Sequence, residues 1–187
     1  MATRYKHSNV YNTYFCTFTC YSWLHLFEIT NSYDLVYRWF SILKNKCNSE
    51  TIAYVIMPNH IHCILYFKEA IFNLNKIISN GKRFMAYEII RRLEEKEEHS
   101  ILNLLSGSVT QREQNKGQLH KVFKDSFDAK AIFSDNFLHQ KIDYIHFNPV
   151  SGKWRLVRNY TDYEHSSAAF YELNEPKHFL PLHYKDI

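Results

Sequence analysis

Apolar and polar positions alternate most regularly at two places in the chain, and both predict strands. In NTYFCTFTC, residues 12–20, Tyr14, Cys16, Phe18 and Cys20 fall on one side while Thr13, Phe15, Thr17 and Thr19 fall on the other. In YVIMPNHIHCILYF, residues 54–67, a Pro58-Asn59 turn signal separates apolar runs at 51–57 and 60–67. These predict a second and third strand paired antiparallel through a tight turn. Along the third strand Ile61, Cys63, Leu65 and Phe67 point one way, and His60 and His62 together point the other. One side is core; the other carries two imidazoles.

Elsewhere the apolar spacing is helical. Ser32 or Asn31 can cap a first helix in which Leu35, Trp39, Ile42 and Leu43 recur up to about residue 46, with Trp23 and Phe27 as core anchors before it. A second helix spans about 73–96, with Ile77, Phe84, Tyr87, Ile90 and Leu93 on one face. Gly81 weakens its middle by about 1 kcal/mol relative to Ala and marks a place for a break. Residues 97–118 combine charge, Ser, Gly and Gln around one apolar island at 101–105, which predicts a mobile surface loop. Residues 119–132, with Val122, Phe123, Phe127 and Ile132, predict a kinked fourth strand. A third helix begins at Ser134 or Asp135 and runs through Phe147, because Asn148 precedes Pro149. Its core face is Leu138, Ile142 and Ile145, and Gln140, Tyr144 and Asn148 stack on an adjacent row. A short helix is expected around 163–172; residues 1–11 read as a frayed polar end.

The 187 residues suffice for one domain with a full core, read as 1–172 followed by an extended tail at 173–187. Aromatic residues reach 17%, with fourteen Tyr and fourteen Phe, more rings than such a core needs. Some should be exposed and able to stack on bases. The net charge of +4 suits a polyanionic partner, and the basic residues cluster: Lys76, Lys82, Arg83, Arg91 and Arg92 on one helix, and Lys141, Lys153, Arg155 and Arg158 later. Solvated helix faces explain each cluster, taken alone, equally well. Cys16, Cys20, Cys47 and Cys63 show no C-x-x-C spacing, so reduced thiols are expected. No apolar run approaches the ~20 residues of a membrane span, and the N-terminus lacks a secretory apolar stretch. A cytoplasmic protein with no membrane partner is expected.

Two histidines at this spacing can line a polar pocket or hold a metal. Tyr144 can be a core-edge aromatic or a nucleophile, and Asn148 an ordinary helix terminator or a ligand. Two imidazoles and one amide oxygen would leave open positions and suit a loosely held Mg²⁺ or Mn²⁺. By the same parity Cys63 is core, His139, His146 and His165 read as surface residues, and Ser166-Ser167 as a cap or packing pair for the short helix.

The strings MPNHIH at 57–62 and YIHFNPV at 144–150 resemble the two signatures of the REP-associated tyrosine transposases, in the HUH superfamily of single-strand DNA nickases. YFCTFT at 14–19, Trp23, Phe27 and DYEHSSAAFY at 162–171 extend the resemblance over most of the chain. Phe123 stands where many relatives have tryptophan, and SGKWRLV at 151–157 is a looser version of their segment. The resemblance implies an α+β, ferredoxin-like or RRM-like fold: a central antiparallel sheet of four or five strands, helices packed mainly on one face. It implies His60, His62 and Asn148 as ligands for Mg²⁺ or Mn²⁺, and Tyr144 as the nucleophile that forms a covalent 5′-phosphotyrosine in single-stranded or hairpin DNA. A free tyrosine titrates near pH 10, so it needs a metal or base to act at neutral pH. Lys141 could favour the phenolate or contact phosphate, and Arg83, Lys153 and Arg155 are further candidate DNA contacts. A paired homodimer and a bacterial cytoplasmic location associated with DNA belong to the same expectation. The alternatives are a catalytically silent hairpin-binding protein on the same fold and a zinc hydrolase using water; no third acidic or histidine ligand stands on a neighbouring strand for the latter.

Overall fold

A computed structural model describes residues 11–69 and 72–187. The frayed end expected at 1–11 lies outside the described residues except for Tyr11. Strand β1 (Thr13–Thr19) leads through a 3₁₀ turn (Tyr21–Trp23) and one-turn α1 (Leu26–Ile29) to α2 (Tyr33–Cys47). Strands β2 (Ser49–Met57) and β3 (His60–Phe67) form the expected hairpin, followed by α3 (Leu74–Glu95), α4 (His99–Gly107) and α5 (Gln111–Gln114). Strand β4 (Asp128–Ala131) precedes α6 (Asp135–Phe147), and α7 (Ala168–Leu173) lies near the C-terminus. The sheet order is β2-β3-β1-β4, with every neighbouring pair antiparallel. This is the split βαβ arrangement of ferredoxin-like folds.

Period-two alternation divides the strands between two cores. Tyr14, Cys16, Phe18, Cys20, Ile61, Cys63, Leu65 and Phe67 pack with Leu35, Val36, Trp39 and Phe40 of α2 and Ile78, Met85 and Ile89 of α3. Phe15, Val55, Met57 and Ile64 face the other way, onto Leu138, Ile142 and Ile145 of α6. The long helices thus cover one face. Helix α6, capped by Ser134 Oγ accepting from Phe137 N, crosses the other.

Edge strand β2 is buried along its whole length because the C-terminal region covers it. Ile56 N donates to His165 O at 2.9 Å, Ser167 N to Tyr54 O at 3.0 Å, and Tyr54 N to Ser167 Oγ at 3.0 Å. Paired in this way, the edge offers no free ladder to another chain. Residues 173–187 continue along the body, with Leu182 N donating to Thr51 O at 2.9 Å and Phe179 packed against the larger core.

Several expectations need correction. Residues 97–118 fold as α4 and α5 instead of a loop: Leu105 is fully buried, and Thr110 and Glu113 form a reciprocal capping box. Helix α3 buries Leu74, Ile78, Gly81, Met85, Ile89 and Leu93, a face rotated from the predicted one, and leaves Tyr87 exposed. It does not break at Gly81; a Cβ there would stand 2.5 Å from Trp39 Nε1, so glycine is what lets α2 and α3 approach. Ile42 and Trp23 are exposed, whereas His146 is buried and accepts or donates one bond to Ser167 Oγ at 3.0 Å. His165 is partly buried and stacks on Tyr33 with ring centroids 3.7 Å apart. The fourth strand is confined to four residues, and Phe123 reaches the sheet through a single bridge to Cys20.

Candidate active site

The register of β1 and β3 sets Thr17 opposite His62 and Thr19 opposite His60. Parity then turns these four side chains toward the face that α6 covers. The apolar stripe of α6 is seated on Phe15 and Ile64, so the row beside it carries Tyr144 over His62. Asn148 follows in the first position of a short 3₁₀ turn, Asn148–Val150, where Pro149 prevents continuation of the ladder. Between these elements opens a cavity of about 780 Å³, whose walls include Thr19, Trp23, Asp128, Lys130 and Trp154.

The two imidazoles stand edge to face, centroids 4.7 Å apart. Asn59 Nδ2 donates to Trp23 O at 2.9 Å, which orients its amide so that Oδ1 lies 2.7 Å from His60 Nδ1. An amide oxygen only accepts, so His60 carries its proton on Nδ1 and keeps the lone pair on Nε2. His62 Nδ1 lies 2.6 Å from Thr17 Oγ1, and His62 Nε2 faces the Tyr144 hydroxyl at 3.5 Å, a distance at the outer limit of a hydrogen bond. The Tyr144 side chain is half exposed, within reach of a molecule entering from solvent.

Burial pushes His60 down to about 4, opposed by the nearby Asn148 amide, which makes no hydrogen bond of regular geometry to the ring, and helped by the Lys153 charge. It pushes His62 down to about 3, with His60 and Lys141 acting in the same direction. Both rings are therefore neutral at pH 7, the protonation state a metal ligand requires. Asn148 Oδ1 is buried without a hydrogen-bond partner. Among the described residues no three His, Cys, Asp or Glu side chains gather as a ligand set; the buried donors at this end of the cavity are two imidazole nitrogens and this amide oxygen, with the Asp128 carboxylate on the cavity wall. Lys141 Nζ lies 5.1 Å from the ring centroids of Phe15 and Phe137 and 5.6 Å from that of Tyr144; burial lowers its pKa, Lys130 adds to the effect and Asp128 opposes it.

Of the residues singled out in the sequence, His60, His62, Tyr144, Asn148, Lys141 and Lys153 all border this cavity. Arg155 is exposed outside its lining, and Arg83 lies on α3, the helix that covers the opposite face of the sheet. Sequence reasoning missed Thr17, Asn59, Trp23 and Trp154 as members of the site. The strand alternation that sets Phe15, Thr17 and Thr19 on one side is a signal for the first, and Asn59 adjoins His60 in sequence; Trp23 and Trp154 depend on contacts distant in sequence.

No protein-family model matches the chain, and no curated protein matches it. Among solved structures, a REP-associated tyrosine transposase bound to a REP hairpin superposes with a TM-score of 0.64 at 18% identity, over 96% of this chain and 92% of that one. A candidate transposase from Deinococcus radiodurans R1 gives a TM-score of 0.44 at 14% identity, over 78% of this chain and 94% of that one, and the assignment does not rest on it. The α+β sheet order, the helix placement and the near-complete overlap agree: this chain has the fold of the REP-associated tyrosine transposase.

Proposed function

We propose that the protein is a metal-dependent single-strand DNA endonuclease and strand transferase, a transposase acting at hairpin or palindromic DNA through a covalent 5′-phosphotyrosine on Tyr144. The observation that carries this reading is the convergence, in one cavity, of the Tyr144 hydroxyl, two neutral imidazoles and the unpartnered Asn148 oxygen. The fold shared with a transposase solved on a REP hairpin supports the substrate class.

His60, His62 and Asn148 would hold Mg²⁺ or Mn²⁺; such an ion, when bound, polarises the phosphodiester and offsets charge developing on its oxygens. Asn59 and Thr17 hold the two rings in place from behind, so the donors need no reordering to receive it. The phenolic oxygen of Tyr144 attacks phosphorus, forming the O–P bond as the bond to the 3′-oxygen breaks. The phenol proton leaves to solvent at the cavity mouth, and the departing 3′-oxygen takes one up. One phosphodiester replaces another, so a second 3′-hydroxyl can reverse the step and join new strands without a nucleotide cofactor. Lys141 adds positive charge over the Tyr144 ring, and Lys153 meets backbone phosphate at the cavity wall.

The test is a denaturing protein gel after incubating labelled single-stranded hairpin DNA from the flanks of the gene with Mg²⁺ or Mn²⁺. Wild type forms a covalent adduct, and chelator or Tyr144→Phe removes it; Lys141→Ala slows it. Tight binding with no adduct under either metal would instead identify a silent hairpin-binding protein.

A further inference from the structure

Trp23 occupies a position that folding alone does not favour. Its side chain is 51% exposed at the cavity wall, in a protein that buries Trp39 almost completely. Its backbone is left-handed as well: Ser22 and Trp23 have φ of 51° and 59°, a conformation that bulky L residues disfavour, and here two stand in succession. The surroundings hold it there. Asn59 donates to Trp23 O at 2.9 Å while its other amide atom meets His60 Nδ1 at 2.7 Å, so one side chain ties the indole's backbone to a histidine of the site.

A second indole joins it. The Trp23 and Trp154 ring centroids lie 6.0 Å and 5.8 Å from that of His60. Each indole carries a lysine over its face, Lys124 Nζ at 4.0 Å from Trp23 and Lys153 Nζ at 5.6 Å from Trp154. Aromatic faces interleaved with cations suit an unpaired nucleotide, whose base has two flat faces and whose phosphate is anionic. A paired base offers neither face, since both are occupied in the stack.

We infer that Trp23 and Trp154 form a stacking cleft for an unpaired nucleobase next to the scissile phosphate, with Lys124 and Lys153 meeting the phosphates that flank it. This rests on the strand-transfer reading for the word scissile. The cleft itself rests on the exposed Trp23 indole, the half-buried Trp154 indole at the same cavity wall and the strained turn. Trp23 is a positioning residue: it holds a neighbouring base so that the phosphate beside it stays over His60.

The experiment titrates the full chain with short oligothymidylate and with an abasic oligodeoxynucleotide of equal phosphate number, following tryptophan fluorescence. Trp39 is buried, so quenching reports Trp23 and Trp154. Oligothymidylate should quench and bind roughly tenfold more tightly than the abasic strand, within the range one stacked base contributes. Trp23→Gly should erase most of that preference yet leave abasic binding and the thermal midpoint undiminished, because glycine adopts the left-handed turn without strain. Trp23→Phe should retain part of the preference. Equal affinity of wild type for the two strands, or an undiminished preference in both Trp23→Gly and Trp154→Ala, overturns the inference. The two readings fail separately. A tyrosine adduct with no base preference removes the stacking cleft alone, whereas lost quenching in Trp23→Gly without an adduct in wild type keeps the cleft and removes strand transfer.

Discussion

Strand β3 presents two faces that are almost equally shielded from water and chemically opposite. Ile61, Cys63 and Leu65 are fully buried, while His60 and His62 retain only 6% and 5% exposure. The first face is closed by α2 and α3 with apolar side chains that need nothing from their surroundings but contact. The second lies beneath α6 at the wall of an open cavity, so its imidazoles are desolvated yet reachable by a ligand. Low exposure therefore does not separate core from site. What separates them is whether the covering element seals the face or bridges it.

Substitutions on the two faces should part company, and the largest difference is expected between Leu65→Ala and His62→Leu. Leu65→Ala should lower unfolding free energy by about 2–5 kcal/mol, read by urea titration, since it leaves a void in a sealed core. His62→Leu should stay within about 1 kcal/mol of wild type, because it trades a desolvated polar ring for an apolar side chain, and should form no DNA adduct. Equal stability losses would mean that the site face is packed like the core.

The next contrast is in pH. His146, His60 and His62 all have folded pKa values below the ordinary 6.5, the first and second at about 4 and the third at about 3, chiefly through burial. The unfolded chain therefore takes up protons that the folded chain resists. Their stabilising contribution is complete above pH 6.5 and is lost as pH falls toward 4. His146 alone should account for roughly 2–4 kcal/mol over that window, and His146→Phe, measured by urea titration with chelator present, should flatten the slope. His165, lowered to about 4 chiefly by burial where it stacks on Tyr33 and meets the Tyr37 hydroxyl of α2, adds to the same window.

A smaller effect belongs to the helix contact behind the sealed face. Gly81→Ala gains helix propensity but drives a methyl into the Trp39 indole, and should lower stability by about 1–2 kcal/mol. A stabilised variant would show that Trp39 can yield.

Much of this was legible in the chain. Strand parity placed Tyr14, Cys16, Phe18 and Cys20 against Phe15, Thr17 and Thr19, and separated the histidines from Ile61 and Cys63, because a period of two is a local property. Ser134 as a cap and Leu138, Ile142 and Ile145 as the stripe of α6 were equally local. The face of α3 was not. Its apolar residues allow two overlapping stripes, and the choice went to the one in which Gly81 meets Trp39, a residue more than forty positions away. Residues 97–118 hid an apolar island among charges, although Thr110-x-x-Glu113 is a readable capping signal. His146 reads as polar and exposed until Ser167 arrives to bind it and α7 to cover it.

By itself the sequence determined the first three strands, the extents of α2, α3 and α6, the pairing of His60 with His62 on one side of β3, and Tyr144 with Asn148 one turn apart. Only the tertiary structure decided that α6 crosses the histidine face with its hydroxyl row toward His62, that Thr17 and Asn59 back the two rings, that the segment 165–167 closes the β2 edge, and that Trp23 turns outward. The reason is physical: side-chain periodicity depends on the backbone of a single element, whereas the covering of a face depends on loop closures between distant elements and on which surfaces fit when they meet.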